Sequence, residues 1–189
     1  MDKPILLDIP YSFDTERLTI RGPLPGDGPR LREAVLESQD KLKVWMPWAV
    51  NVLTEEEYEI RAREGQAKYL SREDLWMQLY LKGTDTLIGG SGLHRIDWSV
   101  PSVEIGYWVR TKYRGQGYIT EAVAAITELA FNVVQAERVF IKMDANNTRS
   151  AAVPQRLGFI YEGTLRHDAR DHITKELRDT MVYSKIRGE

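Results

Sequence analysis

Apolar and polar residues first alternate over residues 16–21, where Leu18 and Ile20 lie between polar neighbours. This period of two predicts a half-buried strand. A run rich in glycine and proline, residues 22–29, ends the strand. The apolar positions that follow have helical spacing and predict the buried face of a first helix: Leu31, Ala34, Val35 and Leu36.

A second helix and three strands follow in the predicted order. Thr54 with Glu57 three residues later has the capping-box pattern of a helix start. Apolar and aromatic residues then predict strands over residues 75–81, 87–93 and 103–109, the first two joined by a turn at residues 83–86. We expect this group of strands to be antiparallel.

The C-terminal part alternates helices with strands. A long helix is predicted after Gly117, and one apolar stripe runs along it: Ile119, Ala122, Val123, Ile126, Leu129, Ala130 and Val133. A strand over residues 138–143, a helix over 147–157 and strands from residue 159 and over 177–186 complete the pattern. This order predicts an α+β fold with a mixed, mostly antiparallel sheet flanked by helices. No repeat or linker divides residues 1–189, and we expect one domain.

Composition and charge narrow the class of protein. With 42% hydrophobic and 29% charged residues, the chain has the balance of a soluble globular protein. A formal net charge of −2 argues against a nucleic-acid partner, which would need a basic face. The absence of cysteine excludes thiolate sites, and with only three histidines we expect no metal. No apolar run approaches the roughly 18 residues of a membrane span, and no signal peptide begins the chain, so we expect a cytoplasmic protein.

Residues 114–119, Arg-Gly-Gln-Gly-Tyr-Ile, carry the most informative motif. They lie between a predicted strand that ends at Val109 and the start of the long helix. Unpaired N–H groups at a helix N-terminus, with the positive end of the helix dipole behind them, form an anion site. Glycine lets phosphate oxygens approach the backbone, and Arg114 adds a charged donor. The motif is neither a P-loop nor a dinucleotide fingerprint, and a purely structural turn is the alternative.

Followed by Thr120-Glu121-Ala122, this loop resembles the acetyl-CoA motif of the GNAT acetyltransferase superfamily. A second motif, Asn147-x-x-Ser150 and then Leu157-Gly158-Phe159, has the spacing of that family. The resemblance implies a GNAT-like sheet with a splayed central strand pair. It also implies acetyl-CoA as co-substrate and an amine as acceptor.

Residues 16–21, 45–48 and 104–109 are similar to the Rim-type branch of the family, the N-terminal acetyltransferases of ribosomal proteins. This similarity implies the α-amine of a protein as acceptor and allows a homodimer. It implies cofactor contacts from one set of residues: Trp108, Val109, Arg114, Gly115, Gln116, Gly117, Tyr118, Ile119 and Asn147. Lys112 departs from the family, which usually has Gln or Arg there; lysine keeps the charge without the planar fork.

Ser150 stands where Rim-type enzymes protonate or hydrogen-bond the leaving sulfur. Helix capping is the alternative role for both Ser150 and Asn147. Pro154 has no N–H to donate to the Ser150 carbonyl, so we expect a free acceptor beside the proposed site.

Glu104 is our candidate base for the acceptor amine, with a water chain as the alternative, since a glutamate within an apolar strand either lines a cleft or faces solvent. Strand alternation puts it on the face of Trp108 and opposite Tyr107. Trp45 and Trp48 are candidates for the wall of an acceptor cleft, with a place in the core as the alternative.

Three interpretations of function stay open at this point. The first is an N-acetyltransferase that moves the acetyl group directly to the α-amine of a ribosomal or other protein. The second is a small-amine or antibiotic N-acetyltransferase. The third is a CoA-binding module without catalysis. Ala169, which stands where Rim-type enzymes have a glutamate, supports this module, whereas Ser150 and the intact residues 114–117 support an enzyme.

Overall fold

Residues 3–189 of the computed structural model contain eight strands and four α-helices. The strands are β1 (Ser12–Asp14), β2 (Leu18–Arg21), β3 (Leu75–Leu81), β4 (Leu87–Asp97), β5 (Ser102–Val109), β6 (Arg138–Asp144), β7 (Ile160–Arg170) and β8 (Leu177–Ile186). The helices are α1 (Gly28–Leu42), α2 (Glu55–Ser71), α3 (Tyr118–Asn132) and α4 (Thr148–Arg156). Short 3₁₀ turns at Pro4–Leu6, Pro47–Ala49 and Thr111–Tyr113 lie between them.

The strands form one sheet in the order β1-β2-β3-β4-β5-β6-β8-β7. All neighbours are antiparallel except β5 and β6, which are parallel. The β5–β6 register runs only from Ser102↔Arg138 to Glu104↔Phe140, so residues 105–109 of β5 have no partner in β6. The expected splayed strand pair is therefore confirmed, and a gap opens in the middle of the sheet.

Helices cover both faces of the sheet. On one face α3 contributes Ile126 to a core cluster that also contains Ile105 of β5. On the other face α1 and α2 contribute Ala34 and Tyr58 to a second cluster with Tyr80 of β3. Burying an aliphatic or aromatic side chain of this kind stabilises the fold by roughly 1.5–3 kcal/mol. None of the helices within residues 3–189 is long and apolar enough to span a membrane.

The predicted α+β fold is confirmed, with differences at the ends of elements. The strands expected over residues 75–81 and 177–186 have those bounds, whereas β4 continues to Asp97. β1 has no counterpart in the predicted pattern because three residues are too short to show a period. Leu36 was expected on the buried face of α1 but is 38% exposed, since each helical residue turns by about 100° from the last and Leu36 lies beyond that face.

The predicted helix start at Thr54 is confirmed as a complete capping box. Thr54 Oγ1 accepts a hydrogen bond from the Glu57 N–H (3.2 Å), and Glu57 Oε2 accepts one from the Thr54 N–H (2.7 Å). Such a cap stabilises a helix by about 1 kcal/mol. It fixes the start of α2, which covers the face of β3 to β5 where one of the clefts described next is found.

Candidate active site

Two clefts adjoin at the end of β5. The larger, with a volume of about 1380 Å³, is lined by residues 113–121 except Gln116 and by residues 147–150; we call it the α3 cleft. The smaller, of about 640 Å³, is lined by α2, by β4 and by the face of β5 that carries Glu104; we call it the α2 cleft. Tyr107 and Trp108 line both clefts, together with Met46.

The loop before α3 turns free backbone N–H groups towards the α3 cleft. Gly115 and Gly117 have φ angles of 74° and 85°, a left-handed conformation that glycine adopts without strain. Glu121 is the first residue of α3 whose N–H bonds a carbonyl, that of Gly117 (3.0 Å). Nothing in residues 3–189 accepts a hydrogen bond from the N–H groups of residues 115–120. Together with the helix dipole, these donors make an anion site.

Arg17, at the start of β2, holds this loop in place. Its N–H and Nε donate to the two carboxylate oxygens of Glu121 (2.9 and 2.6 Å), and Nη1 donates to the Gln116 carbonyl (3.0 Å). The guanidinium also lies 4.5 Å from the ring centroid of Tyr118. Burial acts to raise the pKa of Glu121, but hydrogen bonds from Thr15 and Arg17 outweigh it and lower the pKa. Glu121 therefore stays ionised and keeps the loop anchored at neutral pH.

Two side chains of the loop point away from the α3 cleft. Gln116 Nε2 donates to the Lys112 carbonyl (2.9 Å), and Lys112 Nζ lies 3.4 Å from Glu37 Oε2. Neither residue lines the cleft. Any contact of Gln116 with a phosphate would therefore come from its backbone N–H.

Unpaired positive charge lines the α3 cleft. Arg17 is neutralised by Glu121, but other cationic residues of the lining have no ion-pair partner within residues 3–189: Lys41, Arg114, Arg149 and Arg156. A cleft wall with several uncompensated cations attracts anionic ligands. The free N–H groups and these side chains together suit a ligand with more than one phosphate.

The splayed end of β5 leaves backbone groups free inside the α3 cleft. The Arg110 N–H donates to the Ile88 carbonyl (2.7 Å), which directs the backbone groups of Arg110 towards β4. Because alternate residues of a strand direct theirs to opposite sides, those of Val109 and Tyr107 point into the gap where β6 has diverged. An extended ligand with amide groups can pair with this free strand edge.

Ser150 and Tyr107 are hydrogen-bonded across the α3 cleft. Ser150 Oγ donates to the Tyr107 hydroxyl (3.1 Å), which in turn donates to the Ser150 carbonyl (2.8 Å). That carbonyl is free because Pro154, inside α4, has no N–H to give it. The acceptor predicted from Pro154 is thus present, and Tyr107 fills it. Burial raises the pKa of Tyr107 to about 12, against the effect of the Ser150 hydrogen bond, so the phenol stays protonated at neutral pH.

Asn147 is the N-cap of α4, as its alternative role predicted. Its Oδ1 accepts a hydrogen bond from the Ser150 N–H (3.2 Å). Asn147 also lines the α3 cleft, so capping leaves its amide nitrogen available to a ligand there.

The two tryptophans predicted to bind the acceptor lie in different clefts. Trp48 lines the α2 cleft and packs edge-to-face on Trp108, with ring centroids 5.7 Å apart. The Trp108 indole lies over Gly90, where a Cβ would come within 2.5 Å of Nε1. Trp45 lines the α3 cleft instead and lies 5.6 Å from the Arg178 guanidinium.

Glu104 lies in the α2 cleft, on the same face of β5 as Trp108, as strand alternation predicted. Its Oε2 is 2.5 Å from Arg95 Nη1, and its side chain is only 11% exposed. Arg95 has a left-handed φ of 46° and lies where the β4–β5 register shifts, between His94 and Asp97. A bulge of this kind re-aims a side chain, here the guanidinium towards Glu104.

His94 faces Glu104 across the β4–β5 register and also lines the α2 cleft. Its Nδ1 lies 2.8 Å from Asp74 Oδ2, and the two side chains are 28% and 32% exposed. The other edge of the ring faces β5: a Cβ at Gly106 would lie 3.3 Å from His94 Cδ2 and 3.7 Å from Nε2. Gly106 therefore leaves the room that this imidazole occupies.

The chain matches one protein-family model over most of its length. A model described as "Acetyltransferase (GNAT) domain" matches residues 17–160, which include the loop, β5, Ser150 and both clefts' main walls. The chain belongs to the GNAT acetyltransferase family. It is therefore an acetyltransferase by family, and the resemblance predicted from the two motifs is confirmed.

The GNAT relatives of this chain include proteins named for ribosomal substrates. It is 31% identical over 175 residues to the "Putative ribosomal N-acetyltransferase YdaF" of Bacillus subtilis (strain 168), over 92% of this chain and 93% of the relative. It is 29% identical over 149 residues to the ribosomal-protein-serine acetyltransferase of Escherichia coli (strain K12), over 77% and 82%. Its fold matches RimL, a ribosomal L7/L12 alpha-N-protein acetyltransferase solved with coenzyme A, with a TM-score of 0.84 at 21% identity, over 94% and 97%.

The GNAT fold brings most of the predicted site residues together and adds some that the sequence pattern missed. Except for Gln116, the predicted cofactor residues line the α3 cleft with Ser150, and Glu104 and Trp48 line the α2 cleft. The additions are Tyr107, Arg17 and the pair His94–Asp74. Pro154 was a signal for Tyr107, since it predicted an acceptor in need of a donor.

Proposed function

We propose that this GNAT enzyme transfers the acetyl group of acetyl-CoA directly to the α-amine of a protein, a ribosomal protein being the favoured class. One observation carries the proposal: an anion-binding cleft and an aromatic cleft meet at Tyr107 and Trp108. A donor held on one side and an acceptor on the other would meet at the splayed end of β5. The ribosomal substrates in the names of two relatives support the choice of acceptor.

The residues of the α3 cleft fit acetyl-CoA. In this proposal its pyrophosphate lies on the N–H groups of residues 115–119 and on Arg114, in the open space above Gly115, where a Cβ would meet no atom within 4 Å. Other cations of the cleft receive the remaining phosphate, and the free backbone groups of Val109 pair with the pantetheine arm. Acetyl-CoA supplies the acetyl group as a thioester. In this proposal the Val109 N–H, which faces the gap, polarises the thioester carbonyl.

Ser150 is the proposed hydrogen-bond donor to the leaving sulfur. An alcohol is a poor acid by itself, but here the hydroxyl is held in position by its hydrogen bond to the Tyr107 hydroxyl. Such a donor acts mainly in the transition state, when negative charge collects on sulfur.

The α2 cleft is the proposed entrance for the acceptor. Its volume of about 640 Å³ lies within the range of sites that hold small ligands or the end of a peptide. Trp48 and Trp108 form its aromatic wall, and Glu104, the base candidate predicted from the sequence, also lines it. A cytoplasmic setting, a single domain over residues 1–189 and a homodimer also stay predictions.

The acceptor class can be tested with three kinds of amine. A short peptide with a free N-terminal serine, the same peptide with a blocked N-terminus and one internal lysine, and spermidine are each incubated with acetyl-CoA and a thiol reagent. We expect thiol release only with the free N-terminus, and mass spectrometry should place the acetyl group on the α-nitrogen. Acetylation of spermidine alone would support acetyl transfer to an amine but contradict a protein as the acceptor. Binding of CoA without turnover of any amine would favour a CoA-binding module.

A further inference from the structure

The α2 cleft contains a second group that can take a proton, beside the one predicted from the sequence. We infer that His94, oriented by Asp74, accepts the proton from the acceptor amine, and that Glu104 serves to hold Arg95. The inference rests on the proposed acetyl transfer and names the residue that prepares its amine. Asp74 is a positioning residue in this arrangement.

The contact with Asp74 sets the tautomer of His94. A carboxylate only accepts hydrogen bonds, so the Nδ1 that lies 2.8 Å from Asp74 Oδ2 must carry the proton. Nε2 is then left with its lone pair. That nitrogen lies on the side of the ring near Gly106, two residues along β5 from Trp108, where the clefts adjoin.

Glu104 already has an ion-pair partner in Arg95. Its Oε2 pairs with the guanidinium of Arg95, which is always charged. Arg95 itself has a φ of 46° in the bulge, a conformation that is energetically unfavourable for residues other than glycine. The Glu104 side chain is only 11% exposed, so little water reaches its carboxylate. By contrast, the imidazole of His94 is 28% exposed and can pass a proton on to water.

The charges around His94 balance one another. Asp74 faces it from the start of β3, Arg95 from β4 and Glu104 from β5, while α2 adds three charged residues to the lining of the cleft: Arg61, Glu64 and Lys68. Three carboxylates therefore stand against three cations.

The step balances with the groups at hand. The acceptor enters as an ammonium ion, and His94 Nε2 takes one proton, which leaves a neutral amine. The amine nitrogen forms the C–N bond to the acetyl carbon while the C–S bond breaks. The second proton of that nitrogen goes to the sulfur by way of Ser150, and His94 releases the first to water. The products are an acetylated amine, a free thiol and one proton.

Steady-state rates against pH test the inference, with the serine peptide and acetyl-CoA as substrates. His94→Gln should lower kcat/KM for the peptide on the order of a hundredfold near pH 7. The deficit should shrink severalfold towards pH 9.5, because a free α-amine, with an ordinary pKa of about 8, has already lost its proton there. Asp74→Asn should show the same pH-dependent shape with a smaller loss. Glu104→Gln should lose less, and by the same factor at every pH.

His167→Gln is the matched control, since His167 is exposed on β7 and lies in neither cleft. A His94→Gln deficit that is constant with pH would show a structural role and overturn the inference, as would a pH-dependent deficit in Glu104→Gln alone. If the wild type acetylates no amine, the proposed function fails and the inference with it. If the wild type is active and His94→Gln equals it, only the inference fails.

A second readout needs no turnover. In ¹⁵N-labelled protein, the imidazole nitrogens of His94 should show the proton on Nδ1, and Asp74→Asn should shift the balance towards the Nε2–H form. A proton found on Nε2 in the wild type would remove the acceptor lone pair and contradict the inference.

Discussion

Ser150 owes its proposed role to its neighbours more than to its own hydroxyl. Pro154 has no N–H to donate to the Ser150 carbonyl. The Tyr107 hydroxyl donates to that carbonyl instead, and it accepts a hydrogen bond from the Ser150 hydroxyl. Tyr107 therefore fixes both the hydroxyl and the carbonyl of Ser150. Because burial keeps Tyr107 protonated, with a pKa of about 12, the pair stays a donor through the pH range in which an amine can attack.

At this scale we expect Ser150→Ala to lower kcat by roughly ten- to a thousandfold with CoA affinity nearly unchanged, since the lost interaction is made in the transition state. Tyr107→Phe should lower kcat less and reduce the free energy of unfolding by about 1 kcal/mol, because the Ser150 carbonyl loses its donor. Stopped assays of thiol release and calorimetry with CoA measure both effects. Ser71→Ala, exposed at the end of α2, is the control; an equal kcat in Ser150→Ala would leave only the capping role.

At the scale of elements, the loop before α3 combines a left-handed backbone conformation, which requires glycine, with a binding surface. Gly117 has a φ of 85°, and a Cβ there would lie 3.3 Å from Arg17 Nη2, the side chain that braces the loop. A side chain at this position would therefore disturb the conformation of the loop and its support together. The free N–H groups of residues 115–120 depend on both.

Gly117→Val should weaken CoA binding at least tenfold while the protein remains folded, because backbone strain of about 1–3 kcal/mol lowers stability without abolishing it. Calorimetry with CoA and thermal melts measure the two effects. Gly83→Val is the matched control: Gly83 has a φ of 73° in the β3–β4 turn, outside both clefts. Equal loss of CoA affinity in both variants would mean that strain, and not the anion site, causes it.

The C-terminal hairpin is tied to the rest of the sheet by charge. Glu162 on β7 pairs with Arg138 of β6 and accepts a hydrogen bond from Ser184 of β8 (2.7 Å). The Arg138 guanidinium is the main cause that lowers the pKa of Glu162 from 4.5 to about 2. A lowered folded pKa means stability that is complete above pH 4.5 and is lost as pH falls through about 2.

Glu162→Gln should therefore lower Tm at neutral pH, and its gap to the wild type should narrow as the pH falls from 4.5 towards 2. Water screens this half-exposed pair, so we expect a small gap. Thermal melts across that pH range measure it, with Glu128→Gln, exposed on α3, as the control. A gap that is constant with pH would show that the charge of Glu162 contributes nothing.

The hairpin of β3 and β4 contains a bulge that the sequence pattern did not predict. The predicted turn at residues 83–86 is present, but the register shifts by one residue between Leu79 and Tyr80. If the pairing Tyr80↔Leu87 continued along the two strands without the bulge, Asp74 would lie opposite Leu93. With the bulge, Asp74 lies opposite His94. A shift of one residue turns every side chain to the other face. The motifs predicted the donor side because glycine spacing is local, whereas the His94–Asp74 pair depends on a bulge that no local pattern marks.

At the scale of the whole molecule, the two clefts have largely separate linings and share only Met46, Tyr107 and Trp108. A donor in the α3 cleft does not obstruct an acceptor in the α2 cleft. The sequence has no cysteine to carry an acyl group, and the ring nitrogen of His94 that contacts a protein group meets Asp74, not a serine. The arrangement favours a mechanism in which both substrates are bound at once over one that passes through an acetylated enzyme.

Direct transfer in a ternary complex should give intersecting double-reciprocal plots when acetyl-CoA and the serine peptide are varied against each other. The reason is geometric: the amine must reach the acetyl group while that group is still held at the splayed end of β5. Protein incubated with acetyl-CoA alone should keep its unmodified mass, because in this proposal Ser150 donates to the sulfur and does not attack the acetyl group. Parallel plots with an acetylated protein that then passes its acetyl group to the peptide would contradict direct transfer. A surface lysine that becomes acetylated but does not pass its acetyl group to the peptide would not contradict direct transfer.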